Sequence, residues 1–166
     1  MDAPIQKFSV GGLKLSLELV QFRLLPNAGL TITGMLRRLA DKQINLLGVS
    51  LDETEGPLTG TCTLSAEDRF KAIEALEPFN RSFEITSPVG SLTIFPIQSR
   101  INLVGGLLSA MGASGLPVLG FASSLSSLTI ITDYHRLDEA VNAVCRVITL
   151  PENHAPFRPE FRVKQL

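Results

Sequence analysis

The order in which strand and helix signals recur is what most constrains this chain. From residue 13, the stretch LKLSLELVQFRLL alternates apolar and polar positions as a strand with one buried face, and Pro26-Asn27-Ala28-Gly29 breaks it. Leu30 to Lys42 then places apolar residues at 32, 35, 36 and 39, the 3.6-residue period of an amphipathic helix. Ile44 to Leu51 and Leu58 to Leu64 predict two strands joined across Glu53-Thr54-Glu55-Gly56-Pro57. Ser65, ahead of Ala66-Glu67-Asp68, predicts a helix start, because its hydroxyl can accept from unpaired amides and the acids suit the positive end of the helix dipole. Phe70, Ile73 and Leu76 are the expected inner face of that helix, Pro78 its exit, and Phe83 to Thr86 a closing strand.

After Ser87-Pro88 the same order is predicted again. Val89 to Ile97 reads as a strand, and Leu103 to Met111 as a helix with Val104, Leu107, Leu108 and Met111 inward. Pro117 to Ala122 and Leu128 to Thr132 read as paired strands, and Arg136 to Val147 as a helix whose stripe is Leu137, Ala140, Val141, Val144 and Cys145. One strand-helix-strand-strand-helix-strand unit written twice implies an α/β fold with two antiparallel sheets, each covered by two helices on one face. The expected divisions are a strand extension over 1–12, a first domain over 13–87, a second over 88–150 and a proline-rich tail over 151–166. Gly11-Gly12 predicts a hairpin turn between Ile5–Val10 and the strand from Leu13, and Phe161-Arg-Val-Lys an added edge strand.

Charge and composition remove several function classes. A formal net charge of −1 gives no field for holding a polyanion, so no nucleic-acid partner is expected. The few aromatic residues, 6% of the chain, also fail to supply the stacking platform of an RNA-binding sheet. Cys62 and Cys145 lack metal or disulfide spacing and suit a reducing cytoplasm. His135 and His154 have nothing to place them beside a nucleophile or carboxylate, so neither catalysis, metal binding nor a cofactor is expected. The uncharged run from Ile101 to Thr132 is long enough to cross a bilayer, but Pro117, several glycines and serines interrupt it, and a buried helix and hairpin explain it better than a membrane span. Gly105-Gly106 falls inside a helix pattern, where small residues allow close packing instead of cradling phosphate.

Two segments carry a resemblance. Gly115 to Val141, GLPVLGFASSLSSLTIITDYHRLDEAV, resembles the last ACT domain of aspartate kinases, and Leu39-Ala-Asp-Lys-Gln-Ile-Asn-Leu46 is similar to the companion signature of the preceding one. The resemblance spans roughly residues 13 to 150, leaves no room for a kinase domain, and implies two tandem ferredoxin-like domains of a separate regulatory subunit. In that family ACT domains pair through their sheets, and an amino acid sits at the interface, between the first strand-to-helix loop and the second strand of a neighbour. A helix start offers amides and partial positive charge to a carboxylate, while hydroxyls and carbonyls can take the ammonium.

Carried onto this sequence, the resemblance implies a ligand site at Pro26, Asn27, Ala28, Gly29 and Leu30, with Ile44 and Asn45 on the facing strand. The matching positions of the second copy are Gln98, Ser99 and Asn102, with Ser123 and Ser124 on the hairpin. The first copy matches more fully and is expected to hold the better pocket, the second a packing surface. The serines at 123, 124, 126 and 127 either face a ligand or partner sheet, or line a solvated turn. The function implied is a non-catalytic, amino-acid-binding allosteric regulator of amino-acid biosynthesis, cytoplasmic and homodimeric, acting on a catalytic chain such as an aspartate kinase. The alternative is an oligomerisation module of the same fold that binds no small molecule.

Overall fold

The computed structural model describes residues 7–26, 29–53, 56–97, 100–152, 156 and 158. In chain order its elements are β1 (Phe8–Ser9), β2 (Gly12–Leu15), β3 (Leu19–Leu24), α1 (Ile32–Asp41), β4 (Leu46–Asp52), β5 (Thr59–Ser65), α2 (Arg69–Leu76), β6 (Phe83–Phe95), α3 (Ile101–Ala113), β7 (Gly120–Ser123), β8 (Leu128–Asp133), α4 (Leu137–Val144) and β9 (Ile148–Thr149). The chain divides into two units: a first over 18–89, and a second that combines the residues before 18 with those from 90 onward.

In the first unit the strands run β4-β5-β3-β6, each neighbouring pair antiparallel. Val20, Phe22 and Leu24 of β3 and Cys62 and Leu64 of β5 alternate inward, as the two-residue strand period requires. They meet Ile32, Met35 and Leu39 of α1 and Ala72 and Leu76 of α2 in one core. On the opposite face Gln21 and Thr63 are buried polar residues, and the Gln21 amide donates to the Thr63 hydroxyl at 3.3 Å. Helix α1 begins where Thr31 Oγ1 accepts from the Gly34 amide at 3.0 Å. Thr31→Ala should therefore lower stability by about 1 kcal/mol in denaturant unfolding, whereas Thr31→Ser should restore most of it.

The second unit orders its main strands β2-β6-β8-β7. Leu13 pairs with Ile94 and Leu15 with Leu92, and these side chains share a core with Leu103, Leu107 and Met111 of α3 and Leu137, Ala140, Ala143 and Val144 of α4. A separate two-stranded parallel ribbon joins β1 to β9. Gly106 lets α3 approach closely, since a Cβ there would lie 3.0 Å from a Val147 methyl. Among the described residues no helix is long and apolar enough to cross a membrane.

Several expectations change. The strand read over 13–25 is two strands in different units, so residues 13–17 group with the second unit instead of the first, while the division near 87–88 falls between Val89 and Gly90. Gly11-Gly12 makes no hairpin: β1 pairs in parallel with β9, and a Cβ at Gly11 would lie 2.6 Å from Pro96 Cδ, so glycine is needed for close passage beside the end of β6. The strands expected at 83–86 and 89–97 are one. Leu19 pairs with Val89 and Gln21 with Thr86, and the bulge on β6 takes up Pro88, which has no amide hydrogen to donate. In α2 Leu76 is buried and Ile73 packs half-buried against the core as expected, but Phe70 is exposed and Ala72 and Ala75 are buried, because a 3-10 turn over Ala66–Asp68 precedes the α-helix and changes its phase. Helix α3 buries Leu103 and leaves Leu108 toward solvent. The segment Phe161–Lys164 lies outside the described residues.

Candidate functional site

Each unit carries a cleft at the start of its first helix, where the preceding strand passes into it. In the first unit the cleft has a volume of about 520 Å³. Leu24 and Leu25 close it from the end of β3, Gly29 to Thr33 from the loop and the start of α1, and Pro57 to Thr59 from the entry to β5. Gly29 has φ +71, a left-handed conformation that costs a side-chain-bearing residue about 1–2 kcal/mol, and nothing lies within 4 Å of where its Cβ would be. Thr31 supplies acceptors for two amides at the helix start, its Oγ1 for Gly34 and its carbonyl for Met35 at 2.9 Å. The Ile32 and Thr33 amides stand earlier in the first turn, where helix geometry provides no intrahelical acceptor. Among its described lining residues the cleft has no charged side chain.

The second unit has a cleft of about 590 Å³ in the equivalent position. Ile97 ends the loop side, Arg100, Ile101 and Val104 form the start of α3, and Phe121, Ser123, Ser124 and Leu125 come from β7 and its turn. Arg100 is the one charged residue among the described residues lining it, and it stands at the N-cap of α3, where no side-chain cap bond closes the helix. The second copy, expected to present a packing surface, holds a cleft of comparable size to the first.

Three of the four hairpin serines, Ser124, Ser126 and Ser127, have a structural task. Ser124 Oγ accepts from the amides of Ser127 at 3.0 Å and Ser126 at 3.3 Å, while the Ser124 amide donates to the Ser127 carbonyl at 2.8 Å. This is a tight turn held by a hydroxyl, and the Ile97 amide fixes it further by donating to the Ser126 carbonyl at 3.2 Å. Ser123 and Ser124 nevertheless also line the cleft, so the two readings of these hydroxyls meet in Ser124.

The other residues singled out from the sequence fall unevenly. Gly29 and Leu30 line the first cleft, and Pro26 is exposed in the turn before them. Ile44 is buried in the core, with its amide bonded to the Leu39 carbonyl, and Asn45 is exposed beside it. Both follow the C-terminal end of α1, about 15 Å along the helix from the cleft, so within one chain they do not meet Gly29. Asn102 is exposed on α3. Asn27, Ala28, Gln98 and Ser99 lie outside the described residues. Arg100 and Phe121 were missed, although Arg100 is legible as the last charge before the uncharged run.

Burial pushes both thiols up, Cys62 to about 11, so neither is a ready nucleophile near neutral pH. Among the described residues no group of three or more His, Cys, Asp and Glu side chains is placed to hold a metal ion.

No protein-family model matches the sequence, and no curated protein matches it either. Solved structures do resemble its fold. The ligand-free regulatory subunit of aspartate kinase from Thermus thermophilus superposes with a TM-score of 0.74 at 18% identity, over 84% of this chain and 99% of that one. The regulatory subunit from Thermus flavus gives 0.71 at 18% identity, over 83% and 97%. The aspartate kinase of Synechocystis gives 0.67 at 13% identity, covering 86% of this chain but 28% of that one. The chain thus has the fold of aspartate kinase regulatory subunits, which are built of ACT domains, over nearly their whole length.

Proposed function

We propose that this chain is a tandem ACT regulatory subunit: it binds a small amino acid and transmits occupancy to a separate catalytic chain, an aspartate kinase. Each unit is then one ferredoxin-like domain, with β6 shared between them in sequence and β2 filling the fourth sheet position of the second. The observation that carries the reading is a cleft in the equivalent place in both units of a fold matching regulatory subunits end to end. Both clefts combine a helix start with hydroxyl groups and apolar walls, the chemistry needed to hold a zwitterion without a buried charge pair.

The sheet edges support assembly with a second copy. β4 and β7 are the end strands of the hydrogen-bonded order β4-β5-β3-β6-β8-β7, and Leu47, Val49 and Leu51 on β4 and Phe121 on β7 are exposed. An edge strand with apolar side chains and unpaired backbone groups is a template for another strand. A homodimer formed there would bring a neighbour's strand toward each cleft, where Ile44 and Asn45 enter the reading. The protein would act in the cytoplasm and perform no catalysis itself.

Reconstitution tests this directly. The chain is mixed with an aspartate kinase catalytic chain lacking its own regulatory region, and kinase activity is followed as amino acids are titrated. A coupling of about 1–3 kcal/mol predicts a roughly 5- to 150-fold shift in the kinase's apparent affinity for its substrate or for the effector. Amino-acid binding to this chain with no change in any partnered kinase would refute the regulatory role.

A further inference from the structure

The two clefts differ in one respect that bears on what they hold: an arginine lines one of them, and no charged residue is found among the described lining of the other. Beside Arg100, Ile101 and Val104 present an apolar face of α3, and Phe121 and Leu125 face them from the hairpin. Ile101 and Leu125 are 81% and 83% exposed, an unusual degree for large aliphatic side chains at the rim of a cavity, and an occupant with an apolar body would cover them.

The charge pattern narrows the ligand further. From Ile101 to Thr132, which includes α3, β7 and β8, no residue is acidic or basic. The walls built from these elements can offer hydroxyls, carbonyls and hydrocarbon, but no carboxylate to a cationic side chain. Arg100 would repel such a side chain at close range and attract a carboxylate by charge-assisted, two-pronged hydrogen bonding. A volume of about 590 Å³ lies within the range of small-molecule sites.

From this we infer that the second-unit cleft selects an amino acid with an aliphatic or aromatic side chain, holding its carboxylate at Arg100 and its side chain among Ile101, Phe121 and Leu125. The ammonium goes to the oxygen-rich hairpin, where Ser123 lines the cleft. This rests on the reading that the clefts bind amino acids, and it adds the class of side chain and the residue that takes the carboxylate. The first-unit cleft, lacking a cation among its described lining, relies on helix amides alone and does not share that discrimination.

Titration calorimetry on the full chain separates the two levels of the claim. L-leucine, L-isoleucine, L-methionine and L-phenylalanine are compared with L-lysine and L-threonine, on the parent chain and on Arg100→Met and Arg100→Lys. Arg100 is exposed, and an unchanged thermal melt would certify the fold of each variant. At least one apolar amino acid should bind; Arg100→Met should weaken it about 10- to 100-fold, and Arg100→Lys should recover part of the loss. Preference for lysine or threonine, or apolar binding indifferent to Arg100→Met, would overturn this inference while leaving amino-acid sensing intact. Silence from every amino acid would overturn both.

Discussion

Phe22→Ala is expected to lower the stability of the first unit by about 3–5 kcal/mol, the largest single-residue effect anticipated here. Phe22 has no exposed surface and lies at the centre of β3, paired with Cys62 on β5 and Ile85 on β6. Its ring packs 5.5 Å from that of Phe83, tilted by 46°, so truncation removes an aromatic contact as well as burial. The site collapses poorly because its neighbours belong to hydrogen-bonded strands and to α1, which limits relaxation into the cavity. Phe22→Leu should recover more than half of the loss. Urea unfolding with hydrogen exchange would check both the size and the place: protection should fall in β3, β5 and α1. A loss below 1 kcal/mol would mean that the first-unit core is not organised around this ring.

The second large effect is a dependence on alkaline pH set by Cys62. Burial raises its thiol from an ordinary value near 9 to about 11, since a thiolate in the apolar core has no partner charge to offset lost hydration. A proton is thus held more tightly in the folded than in the unfolded chain. Stability from this group is fully present below pH 9 and is lost as pH rises through about 11, by about 2–3 kcal/mol in total. Unfolding measured at pH 8, 9, 10 and 11 should show that decline beyond what Cys62→Ala retains. Parallel pH profiles for parent and variant would show that Cys62 does not carry the effect.

Local patterns made much of the fold legible. Thr31 and the spacing of Ile32, Met35 and Leu39 mark α1, and the buried face of β8 follows simple alternation. The stretch from Leu13 to Leu25 shows where this stops working. Its apolar positions run 13, 15, 17 and 19, then 20, 22 and 24, and that one-residue change of phase marks the passage from one unit to the other. The assignment of β2 to the second unit depends on Leu13 meeting Ile94, a contact across about half of the chain that no local window contains.

The candidate sites were legible in type more than in residue. A helix start was expected beside Gly29 and hydroxyls on the hairpin at Ser123 and Ser124, and a cleft lies at each place. Ile44 shows the limit of signature matching, since its apolar side chain satisfies the core of its own unit before it can serve a ligand. Arg100 escaped notice because a lone charge beside a helix reads as a solvated end. Its significance comes from Phe121 and Leu125, which the fold brings opposite it from more than twenty residues away.

Amide hydrogen exchange of the chain, alone and with each of the common L-amino acids and their D isomers, tests the sensing claim most directly because it reports both binding and place. An L-amino acid should raise protection at the start of α1 or α3 and along β7, with its D isomer far weaker. No change with any amino acid, or protection confined to segments away from both clefts, would contradict the account.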